Sequence, residues 1–110
     1  MIYVCSPLRG NVEKNIENAK MYCRFVYERG NTPIAPHLLF TQFMNDDSET
    51  ERIDAMHMDM QILDRCEELW VFGLDGISEG MAHEIERAGR NGMPVKYFMT
   101  TEDMNSYAGE

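Results

Sequence analysis

Glu68-Leu-Trp-Val-Phe-Gly73, followed after a short loop by Ser78-Glu-Gly-Met-Ala-His-Glu-Ile-Glu-Arg-Ala88, decides how the rest of the chain is read. The first part has the composition of a buried strand, and the second opens as a helix with Ser78 in the N-cap position. Such a junction aims several backbone N–H groups, and the positive end of a helix dipole, at whatever sits above the strand's C-terminal edge. Glu84 lies one and a half turns further in, near the same mouth. An anion-binding helix start with a carboxylate beside it describes a site.

Outward from this junction, strands and helices alternate. Ile2-Tyr-Val-Cys5, closed by Ser6-Pro7, is a candidate first strand. Asn11 can cap a helix reaching about Arg29, with Ile16, Ala19, Cys23 and Val26 on one face and Gly30-Asn31 as its stop. Thr32-Pro-Ile-Ala-Pro36 is a short second strand whose prolines suit its ends. His37 to Asp47 reads as a loop or an irregular turn of helix. Ser48-x-x-Glu51 matches a capping box, and Ile53, Met56, Met60 and Leu63 give the buried stripe of the next helix. The helix from Ser78 to Asn91 turns Met81, Ile85 and Ala88 inward and is closed by Gly92. Pro94-Val-Lys-Tyr-Phe98 is the fourth strand. Residues 1–99 form one domain, and Thr100 to Glu110 reads as a polar, acidic, frayed tail.

Strands alternating with helices in this way imply parallel βαβ units with right-handed crossovers. Ligands of such sheets bind beyond the carboxyl ends of the strands. That edge collects Ser6, Arg9 and Gly10 after the first strand, His37 after the second, and Ser78 and Gly80 after the third.

Composition narrows the partners. A chain of 110 residues carrying a net charge of −9 is a poor match for a nucleic-acid backbone or an anionic membrane surface. No apolar run approaches the roughly 18 residues of a membrane span, and the N-terminus lacks the flanks of a signal peptide. The three cysteines, Cys5, Cys23 and Cys66, sit in apolar segments without a CxxC spacing, so reduced thiols and a cytoplasmic location are expected. His37, His57 and His83 have no metal-ligand spacing, and neither a metal nor another cofactor is expected. Trp70 belongs to the core.

The candidate residues carry different weight. Arg9, a cation in a Ser/Gly loop after a strand, favours an anion. Ser78 is at least an N-cap. Gly80 costs about 1 kcal/mol relative to alanine inside a helix, which close approach of a ligand or tight helix–sheet packing would explain. Glu84 and Asp59, taken alone, have the pattern of solvated helix residues.

Ser6-Pro-Leu-Arg-Gly10, Ala35-Pro-His-Leu-Leu-Phe40, Cys66-Glu-Glu-Leu-Trp-Val-Phe-Gly73 and Ile77-Ser-Glu-Gly-Met81 with Glu84 resemble a bacterial and phage family grouped with the nucleoside 2-deoxyribosyltransferase-like proteins. A more distant resemblance, confined to the ligand-edge motifs, is to the 2′-deoxynucleoside 5′-monophosphate N-glycosidases. The resemblance implies that Glu84 is a nucleophile forming a covalent glycosyl ester. It implies that Asp59 assists departure of the base and then activates water, and that Ser6, Arg9, Gly10 and Ser78 hold a 5′-phosphate. An oxocarbenium-like state stabilised by one carboxylate, with a second acid protonating the leaving base, is sound chemistry for an N-glycosidic bond. Family enzymes complete the pocket from a neighbouring subunit, so a homodimer or higher homo-oligomer is expected. The chain departs from the enzyme pattern at His83, Glu79 and Glu86, the last standing where a helix-packing glycine is usual.

These readings converge on a flavodoxin-like or Rossmann-like α/β three-layer sandwich with a parallel sheet of four or five strands. Its expected activity is hydrolysis or deoxyribosyl transfer at the N-glycosidic bond of a nucleoside or, as the first form, a nucleoside 5′-monophosphate. The alternatives are a non-catalytic nucleotide-binding module that senses or sequesters its ligand, and a small dimeric interaction protein.

Overall fold

The computed structural model describes residues 1–108. Four strands, β1 (Ile2–Cys5), β2 (Pro33–Ile34), β3 (Glu68–Phe72) and β4 (Val95–Phe98), form one parallel sheet in the order β2-β1-β3-β4. Helix α1 (Val12–Glu28) joins β1 to β2. Helices α2 (Pro36–Phe40) and α3 (Glu49–Leu63) lie between β2 and β3, α4 (Glu79–Arg90) between β3 and β4, and α5 (Thr101–Asn105) follows β4. Right-handed crossovers dictate the layers. From β1 the chain steps one way to β2, which puts α1 on one face; from β2 to β3 and from β3 to β4 it steps the other way, which puts α3 and α4 on the opposite face. The result is a flavodoxin-like three-layer α/β sandwich.

The pleat of each strand divides the core into two clusters. Ile2, Val4, Trp70, Phe72 and Phe98 meet Tyr22, Phe25 and Val26 of α1. Tyr3, Cys5, Leu69 and Val71 meet Leu63 of α3 and Met81 and Ala88 of α4. Trp70, only 1% exposed, is a core residue. Three of the helix starts are capped as their sequences indicate, by Asn11, Ser48 and Ser78. At Ser48 only half of the capping box forms. The Ser48 hydroxyl accepts from Glu51 N, but the Glu51 carboxylate accepts from Asn45 N at 2.8 Å instead of reaching back to the cap.

Several sequence expectations are corrected. The second strand shrinks to Pro33–Ile34, because Pro36 starts a helix; proline suits that position, where its missing N–H has no intrahelical partner to lose. The segment after it is helical over Pro36–Phe40 before it turns. The stripe on α3 is not buried along its length. Leu63 is fully buried, but Ile53 and Met56 are 47% and 44% exposed, because only the C-terminal half of α3 packs on the sheet. The tail is not frayed through its described part. Thr100 caps α5, and Met104 and Tyr107 pack against the aromatic cluster. Residues 109 and 110 of that tail lie outside the described residues. Among the described residues the sheet has four strands, and no helix is long and apolar enough to cross a membrane.

Candidate functional site

The helices that follow β1 and β3 lie on opposite faces of the sheet, so a crevice opens between the carboxyl ends of these two adjacent strands. There, roofed by α2, α3 and the start of α4, lies a cleft of about 350 Å³. Among the residues singled out in the sequence, Ser6, Arg9, His37, Asp59, Ser78, Gly80 and Glu84 line it, and Gly10 does not. Gly10 instead holds a positive φ of 96° in the turn before α1, a conformation that favours glycine.

The β1 loop is shaped by Asn15 of α1. Its buried amide donates to the carbonyls of Leu8 and Arg9 at 3.0 and 2.9 Å, which fixes the backbone that carries Arg9. The Arg9 side chain itself is 63% exposed and lies 3.9 Å from Asp46. Ser6 is buried, and its hydroxyl is 3.3 Å from Nε2 of His37. Burial pushes the His37 imidazole down to about 4, so it is neutral at pH 7 and offers no positive charge to a ligand.

At the start of α4 the Ser78 hydroxyl accepts from Met81 N at 3.2 Å and serves as the cap. A Cβ at Gly80 would meet nothing within 4 Å. Tight helix–sheet packing therefore does not explain this glycine, whereas close approach of a ligand remains consistent with it.

The carboxylates lie deeper. Tyr3 turns toward α4, and its hydroxyl donates to Oε2 of Glu84 at 2.6 Å. Burial raises the Glu84 carboxyl to about 7, against the opposing pull of hydrogen bonds from Tyr3 and Cys5. Burial and the Glu84 charge, in turn, push the Tyr3 phenol well above its ordinary value. On α3, Asp59 lines the same cleft and is raised to about 7, by burial first and by the Glu84 charge second. Asp59 Oδ1 is buried and has no hydrogen-bond partner among the described residues. Two carboxyl groups that share one electrostatic environment and titrate near neutrality can divide the roles of proton donor and anion.

Three residues that shape or line this region do not stand out in the sequence. Tyr3 reads as one more apolar strand residue, although its polar tip, once buried, needed a partner. Asn15 reads as an ordinary helix residue. Arg52, which lines the cleft, is masked by the apolar stripe assigned to α3; the row that faces the cleft is Arg52, Ala55, Met56 and Asp59. Their i, i+3, i+4, i+7 spacing was the available signal. Of the departures from the enzyme pattern, Glu86 pairs with Arg90 at 3.5 Å and is 68% exposed, away from the cleft, whereas Glu79 and His83 line it. Among the described residues no group of three or more His, Cys, Asp or Glu side chains is placed to hold a metal ion.

No curated protein matches the chain significantly. Among solved structures it is similar to the 2-deoxyribosyltransferase from the psychrotolerant bacterium Bacillus psychrosaccharolyticus, with a TM-score of 0.68 and 18% sequence identity over 88% of this chain and 70% of that chain. At that identity the likeness is one of fold. The sequence model of a family described as a domain of unknown function, DUF7768, matches residues 1–98, and the chain belongs to that family.

Proposed function

We propose that the cleft breaks the N-glycosidic bond of a nucleoside through a covalent glycosyl ester on Glu84. The observation that carries this reading is the pair of half-buried carboxyl groups, Glu84 and Asp59, that line one cleft, both raised to about 7. Near neutral pH the pair holds, in part of the population, one proton and one negative charge. With the proton on Asp59, the Glu84 carboxylate attacks the anomeric carbon while the bond from that carbon to the base breaks. Asp59 gives its proton to the departing base. Asp59, now an anion, takes a proton from water as the water attacks the ester and releases the sugar. A second base in place of water gives transfer. Tyr3 holds one oxygen of Glu84 by hydrogen bond and leaves the other for attack.

The charge of the cleft favours a neutral nucleoside over the 5′-monophosphate first expected. Asp46, Glu51 and Glu79, together with the single negative charge of the Asp59–Glu84 pair, line it against Arg9 and Arg52, and Arg9 lies beside Asp46. A phosphate dianion would enter a field that repels it. The shared fold with a protein described as a 2-deoxyribosyltransferase supports the reaction class.

The test is release of free base from a panel of deoxynucleosides and their 5′-monophosphates. Release is expected from the nucleosides, and Glu84→Gln should abolish it while ligand still binds. Binding without release by the unaltered protein would favour the non-catalytic binding module instead.

A further inference from the structure

We infer that the preferred substrate is a nucleoside whose base carries a fixed positive charge, a quaternised ring such as a pyridinium or an N-alkylated purine; the inference rests on the glycosidic reading of the cleft and names its substrate class. The ground is the charge of the cleft. Asp46 stands on the connection between α2 and α3, Glu51 in the first turn of α3 and Glu79 in the first turn of α4, and all three line the cavity. With the charge of the Asp59–Glu84 pair they outweigh Arg9 and Arg52, and Arg9 already lies 3.9 Å from Asp46. His37, neutral at pH 7, offsets none of it. The carboxylates surround a cavity of about 350 Å³ from separate elements, so a base inside it meets negative potential whichever way it lies. A second observation is independent of this count. Asp59 Oδ1 is buried and takes no hydrogen bond from the described residues. A positive charge alongside would compensate such an oxygen, which the protein itself leaves without a donor.

The chemistry of the pair agrees. A neutral base needs a proton as it leaves, so Asp59 must hold one while Glu84 is ionised. A cationic base needs none. The Glu84 carboxylate attacks the anomeric carbon as the bond from that carbon to the ring nitrogen breaks. The electron pair of that bond returns to the ring, which departs neutral. Water then attacks the glycosyl ester, the Asp59 anion takes its proton, and Glu84 is released as a carboxylate. Asp59 afterwards gives that proton to solvent. The two kinds of substrate therefore ask for different protonation states. Release of a neutral base falls as the pair loses its shared proton above about 7, whereas release of a cationic base rises through about 7 and stays level. The other titratable groups around the pair are Tyr3 and Cys5 of β1, which burial keeps protonated, and the neutral His37 of α2. Arg9, Asp46, Glu51, Arg52, Glu79 and His83 complete the charged and titratable lining. All of these are common to both substrates, so the difference between the two pH profiles reports the pair.

The experiment first compares binding of two probes by calorimetry at pH 7. One is the carbocyclic analogue of nicotinamide 2′-deoxyriboside, a pyridinium that cannot be cleaved; the other is its benzamide counterpart, of the same shape without the charge. The cation should bind about tenfold or more tightly at low salt, and the advantage should shrink as ionic strength rises. Its binding should also release protons, because a positive charge beside the pair favours the ionised form. Glu51→Gln and Glu79→Gln together should bring the two probes within a factor of about two to three. Single-turnover base release is then followed below and above pH 7 for nicotinamide 2′-deoxyriboside, over its spontaneous rate, and for 2′-deoxyinosine. Asp59→Asn should lower release from deoxyinosine by about 10²-fold or more and from the pyridinium by no more than about tenfold. Equal binding of the two probes, an advantage that survives the double substitution, or an equal loss of release from both substrates in Asp59→Asn overturns the inference. Release from deoxyinosine without preference for the cation does so too and leaves the glycosidic reading standing. Salt-dependent selection of the cation without release from any nucleoside keeps the ligand class and removes the glycosidic reading.

Discussion

The two faces of the sheet are built from the same strands and have opposite chemistry. On the α1 face, Tyr22 stacks on Phe72 at 4.4 Å, and Phe25 meets Phe98 edge-on at 5.2 Å. Trp70 meets Tyr107 at 5.3 Å. On the α4 face the neighbouring residues of those strands are Tyr3, Cys5, Leu69 and Val71, and over them sit Met81 and the two carboxyl groups. A one-residue step along β1, from Val4 to Tyr3, moves from a hydrocarbon interior to the hydrogen-bond partner of Glu84. One face gains stability from aromatic contact, and the other holds carboxyl groups whose burial costs stability. The pleat keeps the two from compromising each other.

The comparison breaks most sharply at Glu84. Replacement by Gln keeps the shape and the hydrogen bond from Tyr3 but removes the attacking anion, so base release should fall on the order of 10³-fold or more while the fold holds. Phe72→Ala does the opposite. It removes a fully buried ring that touches three others, and denaturant titration should show a loss of about 3–5 kcal/mol. Residual activity of that variant should track its folded fraction. An activity loss in Phe72→Ala under conditions where the protein is fully folded would show that the faces are coupled.

A smaller effect separates the faces by pH. Glu84 and Asp59 are raised to about 7 in the fold from ordinary values of 4.5 and 3.8. Below the ordinary values both groups are protonated whether folded or not, and their burial costs least. As pH rises, the unfolded chain releases these protons first, so stability drops until the folded pair ionises near 7 and is level above it. The decline is at most roughly 1.4 kcal/mol per pH unit for each group, reduced by the solvent that reaches the cleft. His37, lowered to about 4 from 6.5, acts in the opposite sense, since the unfolded imidazole takes up a proton first as pH falls. Comparison of the unaltered protein with the Glu84→Gln, Asp59→Asn double variant cancels that contribution. The double variant should gain stability relative to the unaltered protein as pH rises from about 4 to 7, and equal slopes would show that the carboxyl groups are not buried in solution.

What could be read in the sequence follows the same division. The alternation of strands and helices, the caps at Asn11, Ser48 and Ser78, and the carboxyl-end loops are local signals, and they locate the sheet and the cleft. The α3 stripe misled because Ile53 and Met56 have the spacing of a buried face, and spacing does not tell a face packed on the sheet from one that roofs a cavity. Tyr3 and Arg52 were hidden for a related reason. The place of each depends on what stands opposite in space, Glu84 on α4 for Tyr3 and the cleft it lines for Arg52. Gly10 shows the converse: its motif is local, and its positive φ serves the turn.

The smallest expected effect compares two helix caps, one on each side of that division. Ser78 accepts from Met81 N at 3.2 Å, and Thr100 accepts from Asp103 N at 3.0 Å. Replacing either with Ala leaves an N-terminal N–H without its side-chain acceptor and should cost about 1 kcal/mol. Thr100→Ala loosens α5, which carries Met104 and Tyr107 onto the aromatic cluster, so its effect should be confined to stability. Ser78 also lines the cleft, so Ser78→Ala should in addition weaken nucleoside binding by a few-fold at equal folded fraction. Equal binding by Ser78→Ala and the unaltered protein would reduce this serine to its capping role. The ligand contact at the helix start would then rest on the backbone around Gly80, where the space left by the missing side chain is open.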